Sequence, residues 1–198
     1  RLERHHLQAL AQAGALSQLA GHRAAAHWEA AAISSMPALL HEAGFDEAPV
    51  VLAPPTEGEE IVADYASVGV PMGRHPLALL RPVLGRFRTQ PAAVLRDYPN
   101  GRLARASGLV THRQRPETAK GTLFVTLEDE TGTVNVIVWP DLFERYRKEV
   151  LAARLMTVYG VWQRDEDTGG EVMHLLARRV VDHTELLGRL APRSRDFR

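Results

Sequence analysis

The spacing of hydrophobic and polar positions changes character along the chain. Over residues 4–32, Leu7, Leu10 and Ala11 recur at i, i+3, i+4 and alanine is frequent, the signature of helix. This predicts a helical pair over 1–32. The first helix ends at Gly14. The second runs from His22 to Ala32 with Trp28 on its buried side. Pro37, Gly44, Pro49, Pro54 and Pro55 then interrupt any regular element. Thr56, followed three residues later by Glu59, reads as a capping box for a helix over Glu57–Ser67, which Gly69 and Pro71 end. A short helix is predicted over Pro76–Leu84, and 86–101 reads as a looser connector. Residues 33–100 are therefore expected to be an acidic, proline-rich linker with short helices.

From Arg102 the period becomes two. Ala104, Ala106, Gly108 and Val110 alternate with Leu103, Arg105, Ser107, Leu109 and Thr111. Further strands are predicted at 122–129, 134–139, 154–164 and 171–179. A helix over Asp141–Ala153, with Leu142, Tyr146, Val150 and Leu151 on one side, separates the third from the fourth. Asp165–Gly170 is a turn, and His183–Leu190 a last helix. This β-β-β-α-β-β order is that of an OB-fold, a five-stranded Greek-key barrel, placed at 101–183 and followed by a tail over 184–198. Gly108 suits the bend or bulge that closes so small a barrel. The fold class is thus α+β: an OB barrel preceded by a small helical region and an acidic linker.

Composition narrows the chemistry. Among 198 residues, 45% are hydrophobic and 24% charged, the mix of a globular protein. No apolar run is long enough to span a membrane, so no membrane partner is expected. Cysteine is absent, which excludes a disulfide scaffold, a thiolate zinc site and a cysteine nucleophile, and fits a cytoplasmic location. The first residue is Arg1, so the chain is expected to be a piece of something longer. The 24 basic and 24 acidic residues cancel overall, but not locally. Residues 33–64 contain seven acidic groups and no Lys or Arg, whereas 102–120 contain five basic groups and one acidic. Such single-sign stretches are where nucleic-acid partners are found.

Three segments are recognisable together: Arg113-Gln114-Arg115-Pro116-Glu117-Thr118-Ala119-Lys120-Gly121, then Phe124-Val125-Thr126-Leu127-Glu128-Asp129-Glu130-Thr131-Gly132, then Asn135-Val136-Ile137-Val138-Trp139-Pro140. They closely resemble the OB domain of bacterial C-family DNA polymerases, above all the error-prone ImuC-type branch. Gly69 with His75-Pro76-Leu77, and the closing Ser194-Arg195-Asp196-Phe197-Arg198, resemble segments flanking that domain. Residues 1–32 resemble the end of the family's helix-hairpin-helix region. The resemblance implies a parent error-prone polymerase acting in damage-induced (SOS) translesion synthesis and using Mg²⁺ for nucleotidyl transfer. This chain would be a non-catalytic C-terminal module needing no cofactor of its own. It also implies an ImuB-like accessory partner. Direct sliding-clamp binding is doubtful, because Pro49-Val50-Val51-Leu52-Ala53-Pro54 lacks the Gln and terminal aromatic of the clamp-binding segment in replicative relatives.

No motif for catalysis emerges. Glu128-Asp129-Glu130 and Asp165-Glu166-Asp167 sit at turns and read as solvated, and the nine histidines lack i, i+4 pairs suited to zinc. OB-folds bind single strands across strands two and three and the adjoining loops. Single-stranded DNA is accordingly the expected ligand. Alternation turns Phe124 and Thr126 outward on the second strand and Asn135, Ile137 and Trp139 outward on the third. Phe124 is either a stacking platform for a base or a contact with a neighbouring domain. Trp139 either caps the helix that follows or stacks. Arg113, Arg115 and Lys120, in the loop after strand one, would contact phosphates, and Arg164 would form the opposite lip. The alternatives are a barrel that only docks proteins, ImuB in particular, and an RNA-binding module of the synthetase type, whose FxxLxDxTG strand and turn are similar.

Overall fold

Short helices come first and a closed barrel second, as the change of period requires. The computed structural model describes residues 2–33, 50–165 and 169–190. Pro37, Gly44 and Pro49 of the expected linker, Glu166 and Asp167 of the second acidic turn, and the closing Ser194–Arg198 lie outside them. The chain divides into two compact units, Arg1–Gly73 and Arg74–Arg198.

The first unit contains α1 (Arg4–Gln12), α2 (Ser17–Ala20), α3 (Arg23–Ala32) and α4 (Glu57–Ser67). The expected pair is thus interrupted by one extra turn, α2. Its small core is built from Ala11, Ala26 and Ala30, with Leu7, Leu16 and Ala20 packed around it. Alanine lets these helices approach closely. Trp28 is not on that face: it is 54% exposed, because the alanines at 26 and 30 define the buried stripe and 28 falls opposite them. The α4 capping box forms as expected, with Thr56 Oγ1 accepting from Glu59 N–H and Glu59 accepting from Thr56 N–H. This helix is not part of a free linker. Arg23 on α3 pairs with Glu60 at 2.9 Å and with the buried Asp64 at 2.5 Å. Asp64 also accepts from Met72 N–H at 2.7 Å.

The second unit opens with α5 (Pro76–Gly85) and α6 (Ala92–Arg96). It continues through β1 (Leu103–Gln114), β2 (Leu123–Asp129), β3 (Gly132–Val138), α7 (Pro140–Arg145), α8 (Arg147–Ala152), β4 (Leu155–Arg164) and β5 (Met173–Asp182). The strands close in the order β1-β2-β3-β5-β4, the OB-fold expected from the sequence. Alternation holds: Leu123, Val125, Leu127, Val134, Val136 and Val138 all point into the barrel. Gly108 is required by close approach. A Cβ there would lie 2.7 Å from Leu127 Cβ and 2.9 Å from Glu128 N, closer than packed atoms tolerate. The register shift of β1 against β2 follows between Val110 and His112.

In this unit several elements also differ from the sequence reading. The connector at 86–101 contains α6, whose Ala92 and Leu95 close one end of the barrel core. The expected helix over 141–153 breaks at Tyr146 (φ −116°, ψ 31°) into α7 and α8. Phe143 and Val150 are buried there and Leu151 is exposed. β5 runs to Asp182, three residues beyond its expected end, because β4 continues to pair with it. The last helix is a 3₁₀ segment over Thr184–Leu190, kinked at Gly188 (φ 49°, ψ −118°). Its Leu187 joins Leu77 and Leu84 in covering the outward Leu109 and Leu155, so α5 and this segment form a second, outer core.

Two histidines hold these coverings. His75 caps α5, its Nδ1 accepting from Leu77 N–H at 3.1 Å, with its Nε2 3.5 Å from Glu128. His183 Nδ1 lies 2.8 Å from Thr157 Oγ1, which meets Ser107 Oγ at 2.6 Å. Burial lowers the pKa of both from the ordinary 6.5, against the pull of Glu128, Glu130 and Asp129 on His75 and of Asp182 on His183. Between the folded-state pKa and 6.5 the unfolded chain binds more protons, so stability rises with pH. We expect the melting temperature to be level above about pH 6.5 and to fall as the pH drops below it. His183→Asn should flatten that fall in a thermal-melt series; an unchanged slope would show that the imidazole is not the titrating group.

Candidate nucleic-acid interface

The loop between β1 and β2 sets the shape of the outer face. After Gln114 the chain makes a 3₁₀ turn at Glu117–Ala119 and then takes two left-handed residues, Lys120 (φ 49°) and Gly121 (φ 87°). Thr122 N–H closes the turn on Ala119 O at 2.9 Å. A non-glycine residue in this conformation is uncommon, and it fixes Lys120 at the loop edge. Gly121 packs close to Pro140, whose Cγ would be 3.6 Å from an added Cβ. The loop therefore leans towards the start of α7.

Between this loop and the sheet lies a groove of about 510 Å³, lined by Thr118, Ala119, Lys120, Thr122, Phe124, Ile137, Trp139 and Pro140. Register explains its floor. Phe124 on β2 pairs with Ile137 on β3, and both alternate outward because Leu123, Val125, Val136 and Val138 fill the core. Trp139 follows the end of β3, where Pro140 begins α7. Its backbone oxygen accepts from Phe143 N–H at 2.9 Å, while the residue stays 53% exposed. Trp139 thus has its backbone at the helix start, with no side-chain cap, and its side chain among the residues lining the groove.

The predicted residues do not all converge here. Phe124, Trp139 and Lys120 line the groove. Arg115 is exposed on the same loop, its guanidinium 5.3 Å from the Phe143 ring centre. Thr126 and Asn135 face each other two residues further along the strands, Thr126 Oγ1 donating to Asn135 Oδ1 at 3.3 Å. Arg164 is committed elsewhere: its Nε donates to Tyr98 O at 2.8 Å and its Nη1 to Gly170 O at 3.3 Å.

Arg113 is corrected outright. It belongs to β1, not to the loop, and is buried at 9% exposure. Its Nε donates to Val150 O at 2.8 Å and an Nη to Ala153 O. These carbonyls at the end of α8 have no helical partner, and a buried guanidinium satisfies them. The 128–130 turn is solvated only in part, at the half-exposed Glu128. Asp129 is 6% exposed and accepts from Thr131 N–H, Gly132 N–H, Ala92 N–H and Arg81. The sequence signal missed was the pairing of Asp129 with Thr131 and Gly132, an Asx-turn pattern. Glu3, His5 and His6 bring ligand atoms within 4.8 Å of one another, all exposed. His6 Nδ1 is already the acceptor for Glu3 N–H.

The OB-fold nucleic acid binding domain family (tRNA anti-codon) matches residues 104–181. The chain is 56% identical over 199 aligned residues to an error-prone DNA polymerase of Ralstonia nicotianae, covering 99% of this chain and 18% of that protein. It is 55% identical to one of Aromatoleum aromaticum, covering 100% and 18%. The chain therefore spans about a fifth of the length of these relatives. Among solved structures, ygiW from E. coli overlaps 47% of this chain and 87% of its own at 12% identity and a TM-score of 0.36, a partial likeness on which nothing rests.

The placement of the basic residues separates two roles. Arg113→Gln should lower the melting temperature, since stranded buried carbonyls cost about 1–3 kcal/mol, and leave the salt dependence of nucleic-acid binding unchanged. Lys120→Gln should do the reverse. A normal melt with a flattened salt slope for Arg113→Gln would contradict this division.

Proposed function

The chain is homologous over nearly its whole length to a part of the error-prone DNA polymerases, and on that premise we propose that its barrel holds the single-stranded template of such an enzyme. The observation that carries the reading is the groove itself. An aromatic floor, Phe124 with Trp139, lies beside a loop whose Lys120 and Arg115 are exposed. Single-strand binders combine these two parts: rings on which bases stack, and cations that follow the backbone. Stacking tolerates any base, and phosphate contacts ignore sequence, so the site suits a strand whose bases are altered.

In this reading the chain contributes binding. Nucleotidyl transfer, with its Mg²⁺, belongs to the remainder of the parent protein, and the parent's role is translesion synthesis during the damage response. An ImuB-like protein is the proposed recruiting partner. Direct clamp binding stays outside the proposal. Val50 and Val51 are exposed, but His22 Nε2 lies 3.1 Å from Leu52 O, and the segment lacks the Gln and aromatic of the replicative pattern.

Phe124→Ala should weaken binding of single-stranded DNA by about 1–3 kcal/mol, the value of one stacked base, with little change in salt slope. Lys120→Gln should flatten the slope of log K against log salt by about 0.7, one phosphate contact on a single strand. Fluorescence anisotropy over a salt series reads both. If Phe124→Ala melts normally and binds as tightly as the parent chain, the groove does not stack bases, and docking of a protein on the same aromatics becomes the better account.

A further inference from the structure

The wall of the barrel away from the groove carries a second cationic surface. Arg105 on β1 is paired in register with Tyr159 on β4, and Tyr159 with Arg179 on β5. The three outward side chains thus form one row across three adjacent strands. Each guanidinium lies 5.4 Å from the Tyr159 ring centre, within cation–π range. β5 has a register shift opposite Tyr159 and Gly160, which makes Arg178 the extra residue. In a regular strand Arg178 and Arg179 would alternate between core and surface; with the bulge both are exposed. Among the described residues, Arg105 and Arg179 form no ion pair with any carboxylate.

Other arginines of the unit also lie over rings, Arg102 over Tyr98 and Arg115 and Arg147 over Phe143, but three are held by carboxylates or backbone carbonyls. Arg81 is matched by Asp129 and Glu130, Arg113 by helix-end carbonyls, and Arg164 by Tyr98 O and Gly170 O. Like charges gathered on one sheet face repel, and here an aromatic ring separates them where a carboxylate would neutralise them. That arrangement leaves the guanidinium edges free to donate hydrogen bonds, and it engages the Tyr159 ring with cations. The row therefore offers charge to phosphates and no open platform for a base.

We propose that Arg105, Tyr159, Arg178 and Arg179 form a second, non-stacking contact surface for the sugar–phosphate backbone of duplex DNA. Duplex is the favoured ligand because its charge per unit length exceeds that of a single strand and because nothing on this face rewards unstacking. The two surfaces would then divide the work of one module, the groove taking an unpaired strand and the row a paired one. The inference rests on the nucleic-acid reading of the barrel, but the two fail separately.

The test is anisotropy of the whole chain with a blunt duplex and with oligothymidylate across a salt series. Arg105→Gln with Arg179→Gln should weaken duplex binding and flatten its salt slope by about 1.8, two contacts at 0.9 each, while single-strand binding keeps its dependence on Phe124. Arg105→Lys with Arg179→Lys should retain most of the slope. The exposed Arg179→Gln alone, flattening the slope by about 0.9, serves if the double variant melts early. Failure of the wild-type chain to bind duplex, or an unchanged slope in a normally melting double variant, would overturn the proposal, including in favour of an acidic protein as the partner of this face. If instead Phe124→Ala has no effect on single strands while the arginine variants behave as stated, the groove reading falls and this one stands.

Discussion

One buried carboxylate ties the barrel to α5 and α6. Asp129 ends β2 with one oxygen accepting from Thr131 N–H at 2.7 Å, Thr131 Oγ1 at 2.7 Å and Gly132 N–H at 3.1 Å. Its other oxygen accepts from Ala92 N–H at 2.8 Å and Arg81 Nη2 at 3.2 Å. An isolated charge at this depth would cost several kcal/mol, and it is tolerable only because both oxygens are fully engaged. The engagement specifies geometry. It shapes the β2–β3 turn, seats the first turn of α6 against the barrel end, and, through Arg81, holds α5 over the outer faces of β1 and β4.

The groove depends on that frame at one remove. β2 and β3 must pair in a single register for Phe124 and Ile137 to share the outer face, and a slip of one residue would turn both inward. The Asp129 turn fixes this register at one end, where Asp129 itself pairs with Gly132. At the other end Pro140 starts α7 and receives the leaning loop at Gly121. Arg113 completes the scaffold by satisfying the end of α8. One basic residue is thus structural and its loop neighbours Arg115 and Lys120 are exposed, a division the charge pattern alone does not contain.

Much of the fold was legible because period-two alternation is unbroken in β2 and β3 and turn residues punctuate the strands. Gly108, the 56–59 capping box and the order of elements read directly. The misread charges share one physical cause, long-range satisfaction of polar groups. Arg113 and Asp129 look like surface charges until the carbonyls and amides that enclose them are placed. Trp28 and Leu151 look like core until neighbouring alanines, or Phe143, take the buried stripe. His22 and His75 carried no recognisable cap signal, yet both cap helices, at α3 and α5. Of the candidate interface, the outward aromatics were legible from alternation. The row on β1, β4 and β5 was not, because it needs the bulge in β5 and the cross-strand register.

The central claim is that an unpaired strand lies in the groove lined by Phe124, Ile137 and Trp139. An NMR titration of the chain with oligothymidylate tests it most directly. The account predicts saturable shifts of the Trp139 indole N–H and of the amides over 118–124 and 137–139, with the Trp162 indole in the barrel core unmoved. Saturable binding that leaves the Trp139 indole and those amides in place would contradict it.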